Sequence, residues 1–190
     1  MEKSFQKEVK ESVEVLNNGG IILYPTDTIW GIGCDATNEI AVENIYNIKK
    51  RDKHKSMLIL VNSVQMMEKY VKSVPEEAYD LIEISKHPLT IIYPRGINLA
   101  DNLLADDGSI GIRIVKDEFC KELIEEFGKP IVSTSANLAG TKPPLGYFDI
   151  SNEIKMNVDY IVPLRLEEFS TTKSSDIIKV NSSGKIEIIR

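Results

Sequence analysis

The chain of 190 residues is long enough for one domain with a substantial core, and a second catalytic domain beside it is not expected. Its composition, 42% apolar and 27% charged, is that of an ordinary globular protein, and no apolar run reaches the length needed to cross a bilayer. A net charge of −6 argues against holding nucleic acid by bulk electrostatics. Two distant cysteines, Cys34 and Cys120, and two histidines without a ligand pattern, His54 and His87, leave disulfide frameworks, zinc sites and Ser-His-Asp chemistry without material.

The charged, amphipathic N-terminus lacks the apolar core of a secretory signal, so a cytoplasmic protein is expected. Phe5, Val9, Val13 and Leu16 at helical spacing predict a first helix, stopped by "NNGG". "GIILYP" reads as a short buried strand closed by Pro25, and "TDTIWGIGCDATNE" as a loop leaving its end. A helix follows over Glu39–Arg51, with Asn38 as its N-cap and "KKR" in its last turn. Next come a strand at "MLILV", helices at "SVQMMEKYV" and "EEAYDLIEIS", strands at "LTIIYP" and "IGIRIV", and an amphipathic helix "DEFCKELIEEF" ended by Gly128. "KPIV" is a strand that delivers "STSANLAG", and "VDYIVPL", "DIIKV" and "KIEIIR" read as further strands, the last two joined by a turn at "NSSGK". Alternating strands and helices predict an α/β layered domain with a mixed sheet, and ligands in such sheets sit at strand ends.

Three stretches carry candidate chemistry. "KKRDKHK" places Lys49, Lys50, Arg51, Lys53, His54 and Lys55 together; it is either a solvated helix end or a site for a polyphosphate. Lys49 continues the apolar stripe Val42, Ile45, Ile48, and so many cations against a core strand call for a compensating anion. "PTDT" offers Thr26 and Thr28 behind a proline, as a turn or as a pocket wall. "STSAN" offers Ser133, Ser135 and Asn137, as helix cap or pocket lining. Arg113 alternates with Ile112 and Ile114 and points to the other face. "GIGCDA" matches a dinucleotide fingerprint at Gly31, Gly33 and Ala36. Its first glycine does not sit at the strand end, and Asp52 lies at a helix end, so the match is set aside. No Walker-type loop occurs, so phosphates would be held by side chains.

Taken in order, "GGIILYPTDTIWGIGCDATNEIAVENIYNIKKR", "KSMLILV", "LTIIY", "SIGIRI" and "STSANLAG" resemble the YrdC-like family, the threonylcarbamoyl-AMP synthases, from about Gly19 to Gly140, with a weaker echo at "SSDIIKV". The resemblance implies one domain over 1–190, in its short form, with a twisted mixed β-sheet and flanking helices. It implies a nucleotidyltransferase that makes L-threonylcarbamoyladenylate and pyrophosphate from L-threonine, bicarbonate and ATP. Mg2+ accompanies the ATP, and no other cofactor or dedicated metal site is implied. A separate transferase would then pass the threonylcarbamoyl group to tRNA. Carried onto this chain, the catalytic residues are Lys49, Arg51, Ser135 and Asn137, with both cations facing ligand rather than core. Thr28, Thr90, Arg113 and Ser133 would hold threonine and bicarbonate; Lys49, Arg51, Lys55, Ser135, Asn137 and Ser175 would hold the nucleotide.

The chain departs from the family pattern at "SKHPLT", where Lys86 and His87 replace a Pro-Gly pair, and at Asp176, which replaces a hydroxyl residue. Two other functions compete. The chain could be an RNA-binding module for tRNA or double-stranded RNA that uses a basic concave pocket, although aromatic interleaving for base stacking is missing near "KKRDKHK". A carbamoyl-adenylate enzyme fed by carbamoyl phosphate is the other, without the zinc-finger cysteines of such proteins.

Overall fold

The computed structural model describes residues 2–168 and 174–190. Helices α1 (Glu2–Asn17), α2 (Glu39–Lys49), α3 (Val64–Glu68), α4 (Glu76–Ile84), α5 (Glu118–Phe127) and α6 (Asn152–Lys155) surround strands β1 (Ile22–Tyr24), β2 (Gly31–Gly33), β3 (Leu58–Val61), β4 (Leu89–Tyr93), β5 (Ile110–Ile114), β6 (Ile131–Ser135), β7 (Tyr160–Ile161), β8 (Asp176–Val180) and β9 (Ile186–Ile188). These strands form one mixed sheet in the order β7-β1-β2-β6-β3-β5-β4-β8-β9, parallel at β1–β7, β3–β5 and β4–β8 and antiparallel elsewhere. The expected α/β architecture is present. No helix among the described residues is long and apolar enough to span a membrane.

Local signals set the helix ends. Asn38 Oδ1 accepts the Ala41 N–H at 3.1 Å at the start of α2, and Lys50, in the left-handed region with φ 50°, closes it. Asp117 caps α5 through the Cys120 N–H at 2.9 Å, and Gly128 at φ 74° ends it.

Side chains alternate across a strand, so register decides which residues share a face. Val132, Ile59, Ile112, Ile91 and Ile178 stand in register on one face, where buried residues of α2, α3 and α4 (Ile45, Tyr46, Met67, Ala78) complete the larger core. The opposite face carries Ile131, Leu60, Arg113, Thr90 and Ile177 in register. Helices α1 and α5 cover only its β1–β6–β3 corner, packing Val9, Leu16, Phe119 and Leu123 on Ile22, Tyr24, Leu60 and Ile131. The rest of that face stays open because its residues are small or polar: Gly31, Ser133, Ser135, Gly111 and Thr90.

Three sequence expectations change. "TDTIWGIGCDATNE" is not all loop, since Gly31–Gly33 form β2 between β1 and β6. A Gly-Ile-Gly strand hides its period because glycine shows no alternating side chain. At Gly33 a Cβ would lie 2.6 Å from the Val132 carbonyl oxygen and 2.8 Å from the Tyr24 ring. These glycines are therefore strand residues and not a dinucleotide turn. Secondly, "STS" does not follow a strand but continues β6 to Ser135, which puts Ser133 and Ser135 on the open face. Thirdly, "SVQMMEKYV" and "VDYIVPL" contribute only the five residues of α3 and the two of β7.

Candidate active site

A cavity of about 730 Å³ fills the open half-face, so it lies across the middle of the sheet and not at strand ends or one edge. Its floor is Ser133, Gly111, Arg113 and Thr90. The β1–β2 turn supplies Thr26, Thr28 and Trp30, the α2–β3 loop Arg51 and Ser56, and the segment before β5 Asp106, Asp107 and Ser109. Ser175, Lys179 and Arg190 close the far side.

Arg113 is 4% exposed. Its Nη1 donates to Thr28 Oγ1 at 2.9 Å and its Nη2 makes an ion pair with Asp27 Oδ1 at 3.2 Å, while its Nε has no hydrogen-bond partner among the described residues. The turn that presents Asp27 and Thr28 is braced internally: Thr26 Oγ1 donates to the Ile29 carbonyl at 2.8 Å and accepts the Thr28 N–H at 3.0 Å. A buried guanidinium, three hydroxyls and a shared wall form one end of the cavity, suited to a small carboxylate.

Lys49 does not line the cavity. It is 1% exposed and lies behind the wall, where its ammonium donates to the backbone carbonyls of Ser135 and of Asn137, the latter at 2.6 Å, and to Asn137 Oδ1 at 3.4 Å. Burial, and then the charge of Arg51, lower its pKa to about 7. The expectation that Lys49 faces ligand rather than core is therefore corrected: the apolar stripe that aims it inward carries it to the underside of the Ser135–Asn137 turn. Asn137 is likewise turned to the protein, accepting from Ser135 Oγ and donating to the Thr141 carbonyl. Ser135 itself reaches the cavity.

The rest of "KKRDKHK" is dispersed. Lys50 pairs with Glu153 at 2.6 Å, Lys53 with Glu43, and His54 Nδ1 lies 3.5 Å from Asp106. Acidic side chains of the protein supply much of the compensation that the sequence assigned to a bound polyphosphate. Arg51 is the member that both lines the cavity and is partly buried. Its Nε donates to the Lys55 carbonyl at 3.0 Å and its Nη2 to the Ser56 carbonyl at 2.9 Å, folding the loop over the site. Lys55 is exposed outside the lining.

On the far side Thr90 Oγ1 and Ser175 Oγ are 2.7 Å apart, both buried, and Arg190 Nη2 donates to the Ser175 carbonyl at 2.9 Å. Asp176 is exposed and does not line the cavity, and neither do Lys86 and His87, so the departures at those positions leave the hollow itself intact. Sequence reasoning missed Trp30, Asp106, Asp107, Lys179 and Arg190. Asp107 accepts the Ser109 N–H at 2.9 Å and pairs with Lys179 at 3.1 Å. Its hydrogen bonds from Ser109, then Lys179, hold its pKa down at about 2. The alternation of Lys179 with Ile178 and Val180 was the available signal for one of them.

The sequence family described as Telomere recombination, Sua5_yciO_yrdC, matches residues 14–190. A threonylcarbamoyl-AMP synthase of Hahella chejuensis is 32% identical over 163 residues, covering 85% of this chain and 89% of that protein. The crystal structure of E. coli YciO shares the fold with a TM-score of 0.84 at 23% identity, over 97% of this chain and 89% of that one. P. abyssi Sua5 complexed with L-threonine shares it with a TM-score of 0.79 at 23% identity, over 90% of this chain, which spans about half of that longer protein (50%).

Proposed function

The chain belongs to the Sua5_yciO_yrdC family and is a nucleotidyltransferase, an L-threonylcarbamoyladenylate synthase, and from that premise we propose how its cavity divides the substrates. Threonine, as its carbamate, occupies the Arg113 end, with its carboxylate toward the guanidinium and its polar groups toward Thr28, Ser133 and Thr90. ATP, carried as its magnesium complex, extends its triphosphate toward Arg51, with Ser135 and Ser175 hydrogen-bonding the nucleotide. Lys55, exposed beside this wall, approaches the phosphates from the solvent side, and Arg190 adds a second cation across the cavity. Lys49 and Asn137 act by shaping the turn that presents Ser135. The observation that carries this reading is that Arg113, Thr28, Ser133, Ser135 and Arg51 open into a single hollow.

In the reaction, threonine and bicarbonate give the carbamate and water. A carbamate oxygen attacks the α-phosphorus of ATP, a P–O bond forms there, and the bond to the pyrophosphate leaving group breaks. On this reading no general base is assigned among the described residues, and the rate derives from alignment of the two anions and from cations at the phosphates. We further propose that a separate transferase takes the labile mixed anhydride to tRNA, and that this occurs in the cytoplasm.

The test supplies ATP, bicarbonate and L-threonine and follows pyrophosphate. Release that depends on threonine, with threonylcarbamoyl-AMP detected by mass, supports the reading; release without threonine, or none, overturns it.

A further inference from the structure

We propose that Asp27 is a positioning residue for the substrate carboxylate: it fixes the guanidinium of Arg113 and compensates its charge while the cavity is empty. The inference rests on the reading of the Arg113 end as the threonine site. Arg113 stands on β5 between Leu60 and Thr90, and a long side chain on a strand keeps several rotatable bonds unless something holds its tip. Two adjacent residues of one braced turn hold it here, Thr28 on Nη1 at 2.9 Å and Asp27 on Nη2 at 3.2 Å. Asp27 does not line the cavity, so it reaches the substrate only through the arginine.

Charge makes the aspartate more than a brace. Arg113 is 4% exposed, its Nε is without a partner among the described residues, and a buried unpaired guanidinium is strongly disfavoured. Asp27 lets the cation remain in the wall before any anion arrives. Thr28 bonds the same guanidinium but is neutral. Removing the negative charge while keeping the shape therefore isolates the effect.

The experiment measures steady-state pyrophosphate release by wild type, Asp27→Asn, Asp27→Glu, Arg113→Met and the double variant Asp27→Asn/Arg113→Met. Asp27→Asn is expected to raise KM for threonine about tenfold or more, the size of one lost charge-assisted contact. KM for ATP should stay within about twofold. Asp27→Glu should recover part of the loss, and Asp27→Asn should add nothing in the Arg113→Met background. Equal shifts in both KM values, an additive double variant, or a threonine KM unchanged in Asp27→Asn would each overturn the positioning role while leaving the synthase intact. If Asp27→Asn does not fold, the Asp27→Glu variant decides, since a longer carboxylate must move threonine KM alone. A wild type without threonine-dependent release overturns the functional reading and this inference with it.

Discussion

The Lys49 ammonium lies 2.6 Å from the backbone carbonyl of Asn137, also donates to that of Ser135, and is 1% exposed. Lys49 thus ties the last residue of α2 to the end of β6. Two peptide oxygens and a side-chain amide share one buried cation, so the turn that aims Ser135 at the cavity is set from behind.

Lys49→Met keeps the stem and removes the donors, stranding the Asn137 carbonyl, while the Ser135 carbonyl keeps the Asn137 N–H at 2.8 Å. The variant should lose about 2 kcal/mol or more of stability, the scale of a stranded buried acceptor, and more than about tenfold in turnover. Urea unfolding and pyrophosphate release measure the two effects. A variant as stable as wild type, with a defect confined to KM for ATP, would place the ammonium on the triphosphate instead.

The pH dependence of stability follows from the same group. Its folded pKa is lowered to about 7 from the ordinary lysine value of 10.5, first by desolvation and then by Arg51. Between those values the unfolded chain binds a proton that the folded chain does not, so stability rises with pH across that window, by an amount on the order of a few kcal/mol. Below about pH 7 both states are protonated and the penalty is constant. Unfolding free energies of wild type minus Lys49→Met should therefore climb from pH 7 toward 10; parallel curves would contradict the shift.

Arg51 is expected to behave differently because it is half-buried and exposed to the cavity. Its fork meets the Lys55 and Ser56 carbonyls, so Arg51→Lys supplies a charge without the two-point geometry. Both Arg51→Lys and Arg51→Ala should cost only about 1 kcal/mol of stability, as for a solvent-accessible hydrogen-bonding group. Turnover should fall more than about a hundredfold in Arg51→Ala, the loss of one transition-state charge contact, with partial retention in Arg51→Lys. Near-wild-type turnover in Arg51→Ala would remove it from the phosphate site.

Much of this was legible in the residues, and the gaps have physical causes. The helical stripe of α2 pointed Lys49 inward, and alternation along "IGIRIV" separated Arg113 from Ile112. Both are local periodicities. The depth of Lys49 was not legible, because it depends on contact with a turn 86 residues away. Nor was the arrival of Lys179 and Arg190 at the cavity, since alternation gives Lys179 a face but its place there comes from the parallel pairing of β8 with β4, and Arg190 follows through its backbone pairing with Ile177. Ser133 and Ser135 were recognised as polar and misplaced as a loop, since a strand whose exposed face lines a hollow has the composition of a turn.

Two glycines on this sheet face, Gly33 in its covered corner and Gly111 on the cavity floor, allow stability and binding to be separated. A Cβ at Gly33 would meet the Val132 carbonyl oxygen at 2.6 Å and the Tyr24 ring at 2.8 Å, and Tyr24 is fully buried beneath β2. Neither neighbour can retreat without moving β6 or the α1–α5 corner, so Gly33→Ala should lose about 1–3 kcal/mol, as overpacked cores do. At Gly111 the nearest atoms, Leu58 Cβ and Thr90 Cγ2, are 3.4 Å away, an ordinary contact. Gly111→Ala should therefore keep its stability within about 0.5 kcal/mol, helped by the reduced freedom of the unfolded chain. The added methyl stands on the cavity floor beside Arg113 and should raise substrate KM several-fold. Thermal unfolding and steady-state kinetics on the pair check both halves. A Gly111→Ala enzyme with wild-type KM values for ATP and threonine would mean that neither substrate rests on that part of the floor.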